Sequence, residues 1–453
     1  MKNIINAIGV FLLCALLQGC ADFLDAKPDS ALAHPSTLKD LRAILDHESF
    51  INNGYPGIPE IAADEFYITY AGYATLPEWY RDDYTWEDNG LDAGAYSKPY
   101  QTISIANVVL EALDRIESGD ATLRKQLRGE ALFLRGWMFF QLAQVYCAPY
   151  SIYDEGSGLG LVLRLDSDSE VRVGRAGLEQ TYRQLFEDLK EALELLPLKS
   201  EYLTRPSKEV CYAALARAYL TVEDFEKAEE MVDALLQTRS NLLDYNMLDG
   251  TKRYPIELEK NVELLYYGRA GSTGHYMANA NTYIDPEVYA LYGEHDLRKT
   301  LYYIEGASGM RFRGYYHGAL ADYFAGLAMD EMYLIKAECL ARRGEMEEGL
   351  RYLNELCKHR YRTGHFYALK VANSEELLKA VLVERRKQLV CRGLRWIDLR
   401  RLNGDSRFAS TIQRKMYDGN REIVYTLEPG DLRYTFLIPK DAMEVGKYHQ
   451  NPR

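Results

Sequence analysis

Two stretches of this chain place small and large apolar residues at matching offsets on either side of a turn. In the first, Leu215, Ala216 and Tyr219 share a helical spacing, Glu223 and Asp224 break it, and Ala228, Val232 and Leu235 resume it. In the second, Ala337 and Leu340 precede a turn at Gly344, and Gly349, Leu353 and Leu356 follow, with Gly349 standing where the first copy has Ala228. Residues three and four apart lie on one helix face, so each stretch reads as two antiparallel helices. Small side chains at the crossing let the axes approach, and the large ones fill the groove so created. Such a pair cannot bury its apolar face alone and needs other helices stacked beside it.

The offsets are those of tetratricopeptide helix pairs, but about a hundred residues divide the two copies, so an ordinary uninterrupted solenoid is not expected. Further helical periodicity predicts helices over 38–45, 101–116, 123–146 and 178–196. The 123–146 segment is apolar on most sides and therefore central. A last helix is predicted over 374–403, opened by a Ser cap. Strand-like pieces are short: 159–163, 263–267 and the tail 423–439. The fold class is mainly α, with tetratricopeptide-like helix pairs forming a scaffold, long irregular loop segments and minor β. No Pro/Gly/Ser-rich linker divides residues 20–453, which read as a single body. Within it the parts are an N-terminal helical part (36–240), an irregular ligand-side segment (241–330), and a C-terminal helical part with its tail (331–453).

The amino terminus is an export signal. Lys2 precedes an apolar run from Ile4 to Leu16, and Leu17, Gln18, Gly19 and Cys20 close it. The run is short for a spanning helix, and a cysteine at the cut is what a lipoprotein signal requires. Residues 1–19 are then a signal peptide, and Cys20 carries the lipid (palmitate among its chains); two or more acyl chains anchor stably where one does not. Net charge is −13 and no Lys/Arg cluster is interleaved with aromatics, which argues against a nucleic-acid partner. Without a polybasic patch, membrane attachment falls to the lipid. Cys147, Cys211, Cys339, Cys357 and Cys391 are scattered through helical patterns and read as small buried residues, not as a disulfide or metal array. No cofactor and no metal are expected.

The compositional outlier is tyrosine, 36 residues against 14 Phe and 4 Trp. Tyrosine supplies rigid contact area with a hydroxyl handle, although many tyrosines in a helical scaffold simply pack between helices. Two irregular segments concentrate aromatics, an aromatic loop over 52–100 and the 241–330 segment, and irregular chain of that length is usually functional or disordered. The candidate ligand-binding residues are Tyr73, Trp79, Tyr80 and Trp86 in the first and Asn279, Asn281 and Tyr283 in the second. A glycoside hydrolase could be imagined from Asp64 with Glu65 or Asp82 with Asp83. With 67 acidic residues adjacent pairs arise by chance, and the two carboxyls of such an enzyme generally come from separate elements. The chain has no H-E-x-x-H, G-x-S-x-G or Walker loop, so no catalytic residue is assigned. A tetratricopeptide-type protein-interaction scaffold is the other alternative.

Cys20 followed by Phe23, Leu24 and Asp25; Ile105, Ala106, Asn107; Glu130, Ala131, Leu134, Arg135; and Gly160, Leu161, Val162 open a series of blocks whose order along the chain resembles the SusD/RagB family of outer-membrane nutrient-binding lipoproteins. Tyr182, Asp188, Leu189, Ala192, Leu196 and Pro197 follow, then Arg205, Lys208, Ala214, Arg217, Tyr219 and Leu220. Glu331, Ala337 and Glu338 come next, and then Glu384, Arg385, Arg386, Leu389, Gly393, Arg395, Trp396, Asp398, Leu399 and Arg401. Ile438, Pro439 and the Gln450, Asn451, Pro452 ending close the chain. Gln388 and Arg392 depart from the pattern, standing where the family usually carries glutamates. The resemblance implies a non-enzymatic, cell-surface-facing lipoprotein of the outer membrane. It would capture a glycan or an oligopeptide and deliver it to a TonB-dependent, SusC-like β-barrel. Glu384 and Arg385 with Trp396 and Asp398 are expected to form a buried polar cluster tying the last helix to the body.

Overall fold

The computed structural model describes residues 35–87, 89–90, 92–150, 158–270, 279–318, 323–417 and 419–453; residues 1–19, expected to be a signal peptide, and Cys20 lie outside them. The longer helices are, in chain order, α1 (Leu38–Leu45), α2 (Glu78–Thr85), α3 (Ala93–Arg115), α4 (Ala121–Tyr146), α5 (Leu178–Leu195) and α6 (Lys208–Thr221). They continue with α7 (Phe225–Leu236), α8 (Met329–Arg343), α9 (Met346–Lys358), α10 (Ser374–Gln388) and α11 (Leu394–Leu402). Strands occur only as two-stranded antiparallel ribbons among the described residues. Those that matter below are β1 (Phe66–Ile68) with β2 (Thr282–Ile284), β3 (Tyr303–Glu305) with β4 (Met310–Phe312), and β5 (Ile412–Tyr417) with β6 (Glu422–Leu427).

The helices stack in antiparallel succession. α3 and α5 flank α4, α5 packs on α6, α6 on α7, and α8 on both α9 and α10. α4 is central because its apolar residues run all round it: Phe133, Trp137 and Phe140 are fully buried, and the Trp137 and Phe140 rings stack with centroids 5.0 Å apart. The two tetratricopeptide-like pairs are neighbours in space although some ninety residues of other chain stand between them in sequence. α7 lies against α8, where Lys336 reaches Glu229 at 2.8 Å and Asp233 at 2.6 Å, so the stack closes over the intervening segment. Gly349 shows why the small residue matters in the second pair: a Cβ there would stand 2.8 Å from Leu377 of α10 and 3.4 Å from the Ala337 carbonyl of α8.

Two predicted boundaries are corrected. α3 begins at Ala93, not near 101, and carries Pro99 within it. Asp92 accounts for the early start, its carboxylate accepting from Gly94 N at 3.0 Å and Ala95 N at 3.1 Å. The single helix expected over 374–403 is two, α10 and α11. The chain turns between them through Cys391 (φ 57°) and Gly393 (φ 69°), both left-handed, which no α-helix accommodates.

Buried ion pairs bolt these layers together. Arg135 of α4 forks onto Asp188 of α5 at 2.8 and 2.7 Å, and Arg217 of α6 pairs with Glu331 of α8 at 2.5 Å. Arg385 of α10 donates to Asp398 of α11 at 2.8 Å and reaches Glu331 at 3.4 Å, while Arg401 pairs with Glu338 at 2.6 Å. Of the expected cluster, Arg385 and Asp398 pair directly, whereas Glu384 turns to Arg298 at 2.5 Å and the buried Trp396 stacks on Tyr434 with ring centroids 4.9 Å apart. Charges this deep are tolerable only when paired. The two departures from the family pattern form one unit in this network. Gln388 accepts from Arg298 at 3.0 Å and Arg360 at 2.9 Å and donates to Asp330 at 2.8 Å, which Arg392 also contacts at 2.7 Å. An amide can accept from two arginines and donate to a carboxylate at once; an ionised glutamate cannot donate.

The second irregular segment is built largely from tyrosines. Tyr245 and Tyr302 share a hydroxyl contact of 2.6 Å, Tyr303 donates to Tyr292 at 2.8 Å, and Tyr292 donates to the Lys387 carbonyl at 2.8 Å. Much of the tyrosine excess is thus packing with satisfied hydroxyls.

Candidate functional site

β1 and β2 join the two irregular segments. Phe66 faces Ile284, Tyr67 faces Tyr283 and Ile68 faces Thr282 in an antiparallel register. Strand alternation buries Phe66 and Ile68 and turns Tyr67 outward. Its ring lies over that of Tyr283, centroids 5.6 Å apart and planes 28° from parallel, and its hydroxyl donates to the Ser308 carbonyl at 2.8 Å. The pairing continues past the ribbon, with Thr69 N donating to the Asn281 carbonyl at 3.2 Å. The short helix Tyr70–Tyr73 then presses Gly72 against Asn281; a Cβ on Gly72 would stand 2.5 Å from that of Asn281, so only glycine allows this approach. Asn279 caps the turn, its Oδ1 accepting from Asn281 N at 2.9 Å. α2 packs alongside, with the Tyr84 ring 6.1 Å from that of Tyr73 and its hydroxyl oxygen accepting from Ile68 N at 3.1 Å.

The seven candidate residues divide into two groups. Tyr73, Trp79, Asn279 and Asn281 keep partial exposure, and Trp79 leans on Tyr80 with ring centroids 4.0 Å apart. Tyr80, Trp86 and Tyr283 are buried and have no face free to stack with a ligand. Trp86 is the clearest correction. It ends α2 in the left-handed region, its indole N–H donates to the Ala62 carbonyl at 3.0 Å, and the Arg414 guanidinium sits 4.8 Å from its ring and 3.7 Å from that of Tyr84. Arg414 is itself buried and donates to the Ile61 and Ala63 carbonyls at 2.8 Å. These aromatics support the surface from beneath. Tyr67 belongs to the surface and was not singled out; the alternation of Phe66, Tyr67 and Ile68 was the signal that could have found it.

A cleft of about 340 Å³ opens beside the ribbon, between Tyr67 and Asp285 on one side and Gln413 and Lys415 of β5 on the other. At its base Asp64 takes a fork from Arg395 at 2.7 and 2.8 Å and a third contact from Arg386 at 3.1 Å. Burial opposes its ionisation, but the Arg395 guanidinium holds the carboxyl well below the usual range. Asp64 is thus a structural anion, not one half of a glycosidase pair. A larger hollow of about 910 Å³ lies elsewhere, at Pro35, Glu111 and Arg115, and has no aromatic wall. Among the described residues Glu60, Glu65 and Cys391 form a buried group whose ligand atoms lie within 4.8 Å of one another, but both carboxyls are already tied to backbone amides. An aromatic ledge with amide side chains beside it can stack sugar or peptide planes and hydrogen-bond their polar edges; it holds nothing that breaks bonds.

Comparison with known proteins agrees over most of the chain. A family profile described as "Starch-binding associating with outer membrane" matches residues 22–220, and the SusD family profile matches 329–440. SusD-like protein P2 of Formosa agariphila is 23% identical over 420 residues, covering 78% of this chain and 81% of its own. Among solved structures, a SusD superfamily protein of Bacteroides thetaiotaomicron has a TM-score of 0.76 at 20% identity, covering 92% of this chain and 100% of its own. A SusD-like carbohydrate binding protein of Bacteroides vulgatus has a TM-score of 0.70 at 19% identity, covering 91% and 97%. No helix among the described residues is long and apolar enough to cross a membrane. The two profiles together span about two thirds of the sequence, and the chain belongs to the SusD/RagB family, whose members bind nutrients and are not enzymes.

Proposed function

We propose that this protein is an outer-membrane lipoprotein, anchored through Cys20 and facing the cell surface, that captures a glycan and passes it to a SusC-like, TonB-dependent β-barrel. The observation that carries the reading is the joining of two distant segments into one aromatic surface. Tyr67 and Tyr73 offer ring faces at this junction, Asn279 and Asn281 offer amides, and the partly exposed Trp79 stands on α2, whose Tyr84 packs against Tyr73. Sugar rings stack on such faces and their hydroxyls take hydrogen bonds from asparagine and tyrosine. The Bacteroides vulgatus structure described as carbohydrate binding, and the starch-binding description of the matched profile, favour a glycan over a peptide. On this reading the α6–α7 and α8–α9 pairs face the barrel and the irregular segments face the ligand. A tagged chain purified from gently solubilised outer membranes is expected to bring a TonB-dependent barrel with it, cross-linked through 208–236 and 329–358. Recovery without any barrel would refute the delivery role.

A further inference from the structure

The clamp between the first irregular segment and the α10–α11 turn is made of two carboxyl groups that form no ion pair of their own among the described residues. Glu60 lies on the short helix Ile58–Ile61, and Glu65 directly precedes β1. Glu60 Oε2 accepts from Gly393 N at 2.7 Å, and Glu65 Oε2 accepts from Cys391 N at 2.9 Å. Both amides are presented by the left-handed turn at Cys391 and Gly393. Among the described residues the second oxygen of each carboxyl is buried without a nitrogen or hydroxyl donor, and the groups nearest to Glu60 are Glu65 itself and the weakly donating Cys391 thiol. One oxygen of each and the Cys391 sulfur lie within 4.8 Å of one another, and the two side chains are 1% and 0% exposed.

We propose that Glu60 and Glu65 share a single proton and act as one carboxyl–carboxylate clamp that positions the Tyr67–Tyr283 ledge over the α10–α11 turn. Two carboxylates buried this close cannot both ionise, and a proton between them satisfies both remaining oxygens. The one cation felt by the pair is Arg395, which favours the ionised form of Glu65 only as the smallest of the named influences on it. Asp64, the Cys391 thiol and the Tyr292 and Tyr303 hydroxyls add negative charge or none, and Arg395 is already committed to Asp64. Arg392 and Arg217, which line the small cavity beside Glu60, are paired with Asp330 and Glu331. In keeping with this, burial pushes the Glu60 carboxyl up to about 7, and burial and the Glu60 charge raise Glu65 well above its ordinary value. The clamp reaches the ledge through the backbone. The Glu65 carbonyl accepts from Asp285 N at 2.9 Å, one residue beyond β2, and Tyr67 follows Glu65 by two positions. The geometry of the clamp stands by itself; only its effect on binding rests on the ledge being the ligand surface.

A carboxyl whose folded pKa is raised binds its proton more tightly in the native state. The stability this confers is complete below about pH 4.5 and is lost as pH rises through about 7. Glutamine at position 60 keeps the acceptor for Gly393 and donates permanently to Glu65, replacing the shared proton. Thermal unfolding of the full mature chain, for wild type, Glu60→Gln and Glu65→Gln, measured between pH 5 and 8.5, tests this. Wild-type Tm is expected to fall across that range by more than that of either variant, and E60Q is expected to exceed wild type by roughly 2–4 °C at pH 8. Infrared spectra of wild type at pH 6 should show the C=O stretch of an un-ionised carboxylic acid that E60Q and E65Q lack. If wild type lacks that band, or if both variants are less stable than wild type at every pH with an unchanged slope, the shared proton is excluded. A zinc-dependent rise in wild-type Tm that E60Q abolishes would make the trio a metal site and overturn the proposal equally.

Discussion

Replacing Trp86 by alanine separates a core role from a ligand role most cleanly. The indole is fully buried, so its removal forfeits burial and leaves a cavity, which for aromatic-to-alanine changes costs about 3–5 kcal/mol. The Ala62 carbonyl also loses its donor at 3.0 Å, worth about 1 kcal/mol. Arg414 loses one of its two ring contacts while remaining buried, which adds about 0.5–1 kcal/mol. Alanine would occupy the same left-handed backbone at φ 57°, so no strain is relieved to offset this. The total, about 4.5–7 kcal/mol, is a large share of the roughly 5–15 kcal/mol that keeps a typical protein folded. Guanidinium unfolding followed by tyrosine and tryptophan fluorescence should show a midpoint far below that of wild type. Trp79→Ala, at a half-exposed position, should move it by less than about 1 kcal/mol. A W86A protein as stable as wild type that has merely lost ligand binding would refute the assignment of Trp86 to the core.

Three further outcomes follow from particular contacts. Burial disfavours the ionised Glu338, but Arg401 and Arg342 hold its carboxyl at about 2, so it contributes about 3 kcal/mol that is present above pH 4.5 and lost as pH falls through 2; Glu338→Gln should flatten that acid limb in a pH series of urea midpoints. Gly349→Leu should cost about 1–3 kcal/mol by overpacking against Leu377, read as a lower Tm without change in helical circular dichroism. Tyr67→Phe removes only the hydroxyl bond to Ser308 and should cost about 0.5–1.5 kcal/mol while keeping the stack on Tyr283, whereas Tyr67→Ala should also lower affinity for the ligand.

What could be read in advance followed from locality. α1 and α5 stand where the 3.6-residue period put them, because their apolar faces and caps lie within one or two turns of sequence. The residues that carried the family likeness prove to be paired charges: Arg135 with Asp188, Arg217 with Glu331, Arg385 with Asp398, Arg401 with Glu338. Each pair joins two helices, and each was visible as residues but not as a contact. The misreadings are non-local too. Trp86 reads as a ligand residue in sequence because the partner that buries it, Arg414, lies more than three hundred residues away in β5. The break between α10 and α11 is not legible in sequence because Cys391, not glycine alone, takes a left-handed conformation there, its backbone N–H donating a hydrogen bond to the Glu65 carboxyl. Pro99 read as the edge of a loop, yet the Asp92 cap starts α3 ahead of it.

The central claim is that the ledge built from Tyr67, Tyr73, Trp79, Asn279 and Asn281 binds a glycan. Isothermal calorimetry of the soluble chain beginning at Ala21, against a panel of polysaccharides and oligopeptides, tests it most directly when repeated with Tyr73→Ala and Trp79→Ala combined. Binding of a polysaccharide by wild type, lost at least tenfold in the double variant at unchanged Tm, is the predicted result. Heat from oligopeptides alone, or a glycan bound equally by the double variant, would contradict it.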